Sequence, residues 1–180
     1  MRQIAAIAAI AAIAALLWAA PAAAEIRSQT DAGFEVVNTV QIAASPDSVY
    51  KALIAPNRWW SSEHSWSGDA RNMYMSAQAG GCFCELLPDS KGSVEHGRVI
   101  FAQPGKALRL VGSLGPLQTM AVTGVLSFAL AAKDGGTEVV MSYAVGGYIP
   151  GGAAQLAPAV DGVLAQQLGG LKTFAEVPAG

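Results

Sequence analysis

The sequence predicts an α+β domain: an antiparallel sheet of about seven strands against one long C-terminal helix, with two short helices after the first strand. Three observations carry this expectation. From Asn72 to Gly146, short segments rich in β-branched and apolar residues recur at regular spacing, separated by turn residues. From Leu156 to Phe174 the period becomes helical, with a single apolar stripe. The last two strand segments each present one apolar face, which that stripe would cover. At 180 residues the chain holds one core of ordinary size.

Taken in order, the chain opens on Arg2 and an uncharged run from Ile4 to Ala20, then Pro21 and Ala22-Ala23-Ala24. That is the three-part pattern of a secretory signal peptide over residues 1–24, with an A-x-A cleavage site before Glu25. The alternative, an uncleaved anchor, is disfavoured because the run is short and mostly alanine. The expected mature domain is 25–180, periplasmic or secreted, with no membrane span left after cleavage. Glu25 to Ala32 is polar and reads as a loose new terminus.

Phe34 to Ala43 reads as a strand, with Val36, Asn38, Val40 and Ile42 on one parity. Ser45-Pro46-Asp47 starts a helix, with Ser45 as N-cap and Pro46 at the first position; it stops before Pro56. A second short helical turn is expected at 57–61. The later strands are expected at 71–77, 81–87, 94–103, 107–113, 119–131 and 137–146. Turns at Ala79-Gly80-Gly81, Pro88-Asp89, Pro104-Gly105, Gly115-Pro116 and Asp134-Gly135-Gly136 separate them. Gly146 to Gly152 reads as a flexible mouth. In the final helix Leu156, Val160, Val163, Leu164, Gln167, Leu168, Leu171 and Phe174 make the stripe. Gly162, Gly169 and Gly170 each cost about 1 kcal/mol of helix propensity relative to alanine, so at least one should permit a close approach to the sheet.

The net charge of −2 becomes one unit more negative when Arg2 is removed. A sparsely charged, mildly acidic surface without a polybasic run excludes nucleic-acid and anionic-membrane binding as leading functions. No P-loop, dinucleotide fingerprint, H-E-x-x-H or G-x-S-x-G is present. Ser48-Val49-Tyr50-Lys51 matches S-x-x-K, but its S-D-N and K-T-G partners are absent, and Ser48 belongs to a capped helix turn.

Nearly all residues able to do chemistry fall between Trp59 and Arg98. The strings WW…HSWSGDARNM, GGCFCELLP, SVEHGRV and LGPLQTMAVTG, with the VGGY…VDGVLAQQLGGLK ending, resemble an exported bacterial branch of the START-like (SRPBCC) superfamily. The resemblance covers nearly all of 25–180 and lies near the polyketide cyclase/dehydratases and the chaperone-ATPase-activator homologues. It implies a helix-grip fold: a curved sheet wrapped around the C-terminal helix, with a ligand cavity between them.

Trp59, Trp60, Trp66 and Tyr74 are candidates to line that cavity or, alternatively, to pack the short helices on the sheet. Met120, Met141 and Tyr143 join them from the apolar strand faces. Cys82 and Cys84 flank Phe83 on one strand and share a face, as further lining residues. In a regular strand their Cα atoms would lie near the upper limit for a disulfide, about 6.8 Å, so two free thiols are preferred over a bridge. Met73, Met75, His64, His96 and the cysteines are soft or borderline donors, but nothing groups them, so neither a metal nor another cofactor is expected.

His96, Glu85 and Arg98 are the candidate catalytic residues. Strand alternation places His96 and Arg98 on one face and Glu95 on the other; His96 either faces the cavity or is a surface or loop-capping histidine, and Glu85 is either a cavity carboxylate paired with Arg98 or an outward-facing charge. The leading expectation is an exported protein that binds a small apolar or amphipathic molecule. The alternative is a cyclase/dehydratase-like enzyme using His96 with Glu85 or Arg98. An inward His96 bonded to a carboxylate favours the enzyme; an all-apolar cavity favours the carrier. The expected export argues against a role with a cytosolic chaperone, and the sequence sets no oligomeric state.

Overall fold

The computed structural model describes residues 23–177. The expected leader therefore lies outside the described residues, save for Ala23 and Ala24. Eight strands form one antiparallel sheet: β1 (Ala23–Thr30), β2 (Gly33–Ile42), β3 (Met73–Met75), β4 (Cys82–Leu87), β5 (Gly92–Gln103), β6 (Ala107–Gly112), β7 (Ala121–Lys133) and β8 (Gly136–Tyr148). Their order is β1-β2-β8-β7-β6-β5-β4-β3. Helix α1 (Pro46–Leu53) follows β2, and helix α2 (Leu156–Ala175) closes the chain. Among the described residues no helix is long and apolar enough to cross a membrane.

Most elements follow from local chemistry. Ser45 caps α1, its side chain accepting from the Ser48 N–H, and Pro46 opens the helix. The β7–β8 hairpin turns on Asp134 and Gly135, both at positive φ, as two-residue hairpins require. Between α1 and β3 the chain crosses the whole sheet in short 3₁₀ turns, at Pro56–Arg58, Ser62–His64 and Ala70–Asn72. This crossing delivers the Trp59–Ser67 segment to the inner face.

Two expectations at the ends of the sheet are corrected. Residues 25–30 are not loose but belong to β1, paired with β2. All six are exposed, so no apolar alternation marks the strand in the sequence; backbone pairing holds it. The expected mouth at 146–152 is partly strand as well, since β8 runs to Tyr148, where it still pairs with Ala121.

The sheet curves with the help of bulges. β5 carries two, an extra residue at His96 opposite β4 and another at Ile100 opposite β6. Of the strands, β2 lies closest to α2. Val36, Leu126, Phe128, Val139 and Met141 of the sheet share one buried core with Leu164, Leu168 and Leu171 of α2. Each such leucine contributes about 1.5–3 kcal/mol by its burial. Gly124, which interrupts the apolar parity of β7, makes room for the Tyr143 ring: a Cβ there would lie 2.4 Å from its Cε2.

The stripe on α2 divides in two. Its C-terminal half is buried against the sheet, while Leu156, Val160 and Val163 are only half-buried. Gly170 is the glycine that permits close approach, but to a loop rather than the sheet. A Cβ there would meet the Trp59 carbonyl oxygen at 2.4 Å, whereas Gly162 and Gly169 face open space.

Candidate functional site

The half-buried end of α2 overhangs a pocket of about 410 Å³. Trp60 and the His64–Trp66 segment form one wall and Leu114–Leu117 another. The α2 face from Leu156 to Leu164 is the third, and His96 enters from the sheet. The volume falls in the range of small-molecule sites.

Several hydrogen bonds hold these walls. The Trp60 indole N–H donates to the His64 carbonyl (3.0 Å), and the Ser61 N–H donates to Gln167 Oε1 on α2 (2.8 Å). His64 Nε2 lies 2.9 Å from Gln166 Oε1, so the loop is fastened to the helix at two consecutive residues. Opposite, the Tyr143 hydroxyl accepts from the Leu114 N–H (3.1 Å) and donates to the Gly112 carbonyl (3.0 Å). These bonds fix the start of the 3₁₀ turn at Gly115–Thr119. Burial pushes the Tyr143 phenol up to about 12, so it stays a neutral donor at ordinary pH.

The polar centre is a buried imidazole–carboxylate pair. His96 Nε2 lies 2.9 Å from Glu85 Oε2; Glu85 has no exposed surface and His96 is 4% exposed. The same carboxylate accepts the Trp66 N–H at 3.1 Å and the Ser67 N–H at 2.5 Å. Burial alone would raise the Glu85 pKa, but the bonds from Ser67, Trp66 and His96 outweigh it and hold the carboxyl below its usual range. For His96, burial outweighs the attraction of Glu85 and lowers the ring's pKa. Near neutral pH the pair is therefore an ionised carboxylate beside a neutral imidazole. His96 also stacks obliquely on Phe83 (5.0 Å), which meets the Trp60 edge at 5.4 Å.

The bulge explains why His96 and Arg98 part company. Phe83 pairs with Gly97 but Cys84 pairs with Glu95, so His96 is the extra residue. The parity of β5 then slips by one: His96 points inward beside Glu85, while Glu95 and Arg98 both point outward. The expected Glu85–Arg98 pairing is corrected accordingly. Arg98 forms an exposed ion pair with Glu95 and donates to the Gly80 carbonyl (3.0 Å).

Cys82 and Cys84 share the outer face with Arg98 and Glu95, and they are joined in a disulfide. This corrects the expectation of free thiols lining a cavity. Their Cα atoms are 5.4 Å apart, well inside the disulfide range. A flat strand would set them further apart, but this pair sits beside the bulge, which departs from regular strand geometry. The sulfurs also lie close to the Glu95 carboxylate, but the bridge leaves no thiolate to ligate a metal, and both histidines lie at the pocket.

Of the other sequence-predicted site residues, Trp60 and Trp66 reach the pocket. Trp59 is buried behind them, its indole bonded to the Ala52 carbonyl at 3.0 Å. Met141 and Tyr143 are core residues, Met120 packs at the start of β7, and Tyr74 is 45% exposed on β3. The sequence reading missed His64, Leu114 and Leu117 as lining residues. The Gly115-Pro116 turn signal marked the place of the last two, but not the direction in which the turn folds.

No family model and no curated protein matches the chain. Solved structures do match. An uncharacterised protein from Rhizobium leguminosarum is 20% identical with a TM-score of 0.58, over 88% of this chain and all of that one (100%). Protein CV1439 from Chromobacterium violaceum is 18% identical (TM-score 0.56), over 80% and 98%. CalU16 from Micromonospora echinospora is 16% identical (TM-score 0.54), over 87% and 85%. The fold is a helix grip. At such identities the likeness extends to architecture and no further.

Proposed function

We propose that this chain is an exported member of the START-like superfamily that binds a small amphipathic molecule between the sheet and α2. The observation that carries the reading is the pocket itself: Trp60, Leu117, Val160 and Val163 offer apolar walls, and His96 is a polar group set into them from the sheet. The fold shared with other helix-grip proteins is compatible with this use, and the A-x-A ending of the leader supports export.

Native mass spectrometry on protein recovered from the periplasm of an expressing cell tests it. The expected result is a chain beginning at Glu25 that carries an added mass lost on denaturation. Val160→Trp, which fills the pocket, should abolish the added mass. A bare chain that also ignores apolar probes would overturn the binding reading, and a retained leader would overturn export.

The Glu85–His96 pair favours a second reading, a lyase or cyclase in which His96 is the general base. Glu85 would hold the ring in one tautomer and stabilise it once protonated, while the free nitrogen takes a proton from the bound molecule. Under this reading His96→Gln lowers turnover of a cyclase or dehydratase substrate by roughly 10²–10⁴-fold, while the apolar body of that substrate still binds. Equal turnover by the variant would remove it.

A further inference from the structure

We infer that the pocket selects ligands whose polar end is a neutral hydrogen-bond donor, such as a phenol, enol or alcohol, and discriminates against carboxylates and phosphates. The inference rests on the binding reading above and names the ligand class that this site fits.

The argument runs from the donors around Glu85. The Trp66 and Ser67 backbone groups and His96 Nε2 all converge on its two oxygens, at 3.1, 2.5 and 2.9 Å. An ionised carboxylate only accepts, so Nε2 carries the proton, and in a neutral imidazole the other nitrogen is then an acceptor. Among the described residues, Nδ1 has no hydrogen-bond partner, and His96 lines the pocket. The site therefore presents a lone pair to whatever enters.

Among the described residues, no Lys or Arg lines the pocket. An anion seated at Nδ1 would face that lone pair, with the Glu85 carboxylate behind it and Glu63 at the rim. It would lose its water without gaining a donor from His96. An ammonium would also have to shed water, and the Glu85 oxygens that would attract it already accept three N–H groups. A neutral hydroxyl satisfies Nδ1 at the least desolvation cost.

The test compares three probes of one shape, para-propylphenol, para-propylanisole and para-propylbenzoate, titrated into the full protein. Calorimetry and quenching of Trp60 and Trp66 fluorescence both read binding. The phenol should bind on the order of tenfold tighter than the anisole, as one good hydrogen bond gives, and the benzoate weakest. His96→Leu should erase the phenol's advantage. Because that variant strands Glu85 and puts folding at risk, nitrogen NMR of the wild-type imidazole supplies an independent check: the Nε2–H tautomer is expected. Equal affinities, a preference for benzoate, or the Nδ1–H tautomer would overturn the inference while leaving the pocket reading intact. Failure of all three probes to bind would overturn both.

Discussion

At the scale of single residues, the Glu85–His96 pair makes stability depend on pH in a definite direction. The folded state lowers the His96 pKa from its ordinary 6.5, so below that pH the unfolded chain takes up the proton first. Stability that is full above this range is lost as pH falls through the folded value. Glu85, also lowered, acts in the same direction below its ordinary 4.5. Of the pocket residues, Glu63 and His64 are the other titratable groups; both sit at the more accessible rim. The urea midpoint should therefore fall between about pH 7.5 and pH 5, and less steeply in His96→Gln. A flat wild-type profile would contradict the buried neutral imidazole. Tyr143 offers a second residue-level prediction. Tyr143→Phe orphans the Leu114 N–H and should cost about 1–3 kcal/mol in denaturant unfolding, while weakening probe binding because the Leu114–Leu117 wall loosens.

At the scale of elements, α2 does two jobs along one stripe. Its C-terminal half is core, and its N-terminal half is a wall of the pocket. The three glycines separate by position. Gly170→Ala would drive a methyl group into the Trp59 carbonyl, and overpacking of this kind costs about 1–3 kcal/mol. Gly162→Ala and Gly169→Ala meet nothing and should each stabilise by about 0.5–1 kcal/mol through helix propensity. Thermal melts of the three variants check the ordering. In the sequence the three look alike, because each is simply a glycine in a helical window. The element that decides most is β5. One inserted residue turns His96 toward Glu85 and Arg98 away from it, and strict alternation could not have foreseen that, since a bulge leaves no reliable mark in a short strand.

At the scale of the whole molecule, a ligand that binds only the folded state must stabilise it. A probe at one hundred times its Kd should add about 2.7 kcal/mol and raise Tm in proportion. A probe at that concentration that leaves Tm unchanged does not bind the folded state in preference to the unfolded chain. The architecture itself was legible in advance because it rests on local patterns: a strand period of two, a helix period near 3.6, turn residues at fixed places, and a proline-led cap. These specified the order of nearly every element and the covering role of α2. β1 escaped because an edge strand exposed on both faces needs no apolar period. The sequence by itself also concentrated the chemistry between Trp59 and Arg98 and singled out His96 and Glu85. Which partner each of them took, which tryptophans faced the pocket, and whether the cysteines were bridged were decided only in three dimensions. Those outcomes depend on the bulge at His96 and on a crossing segment that spans the sheet, and both are set by long-range pairing rather than by neighbours along the chain.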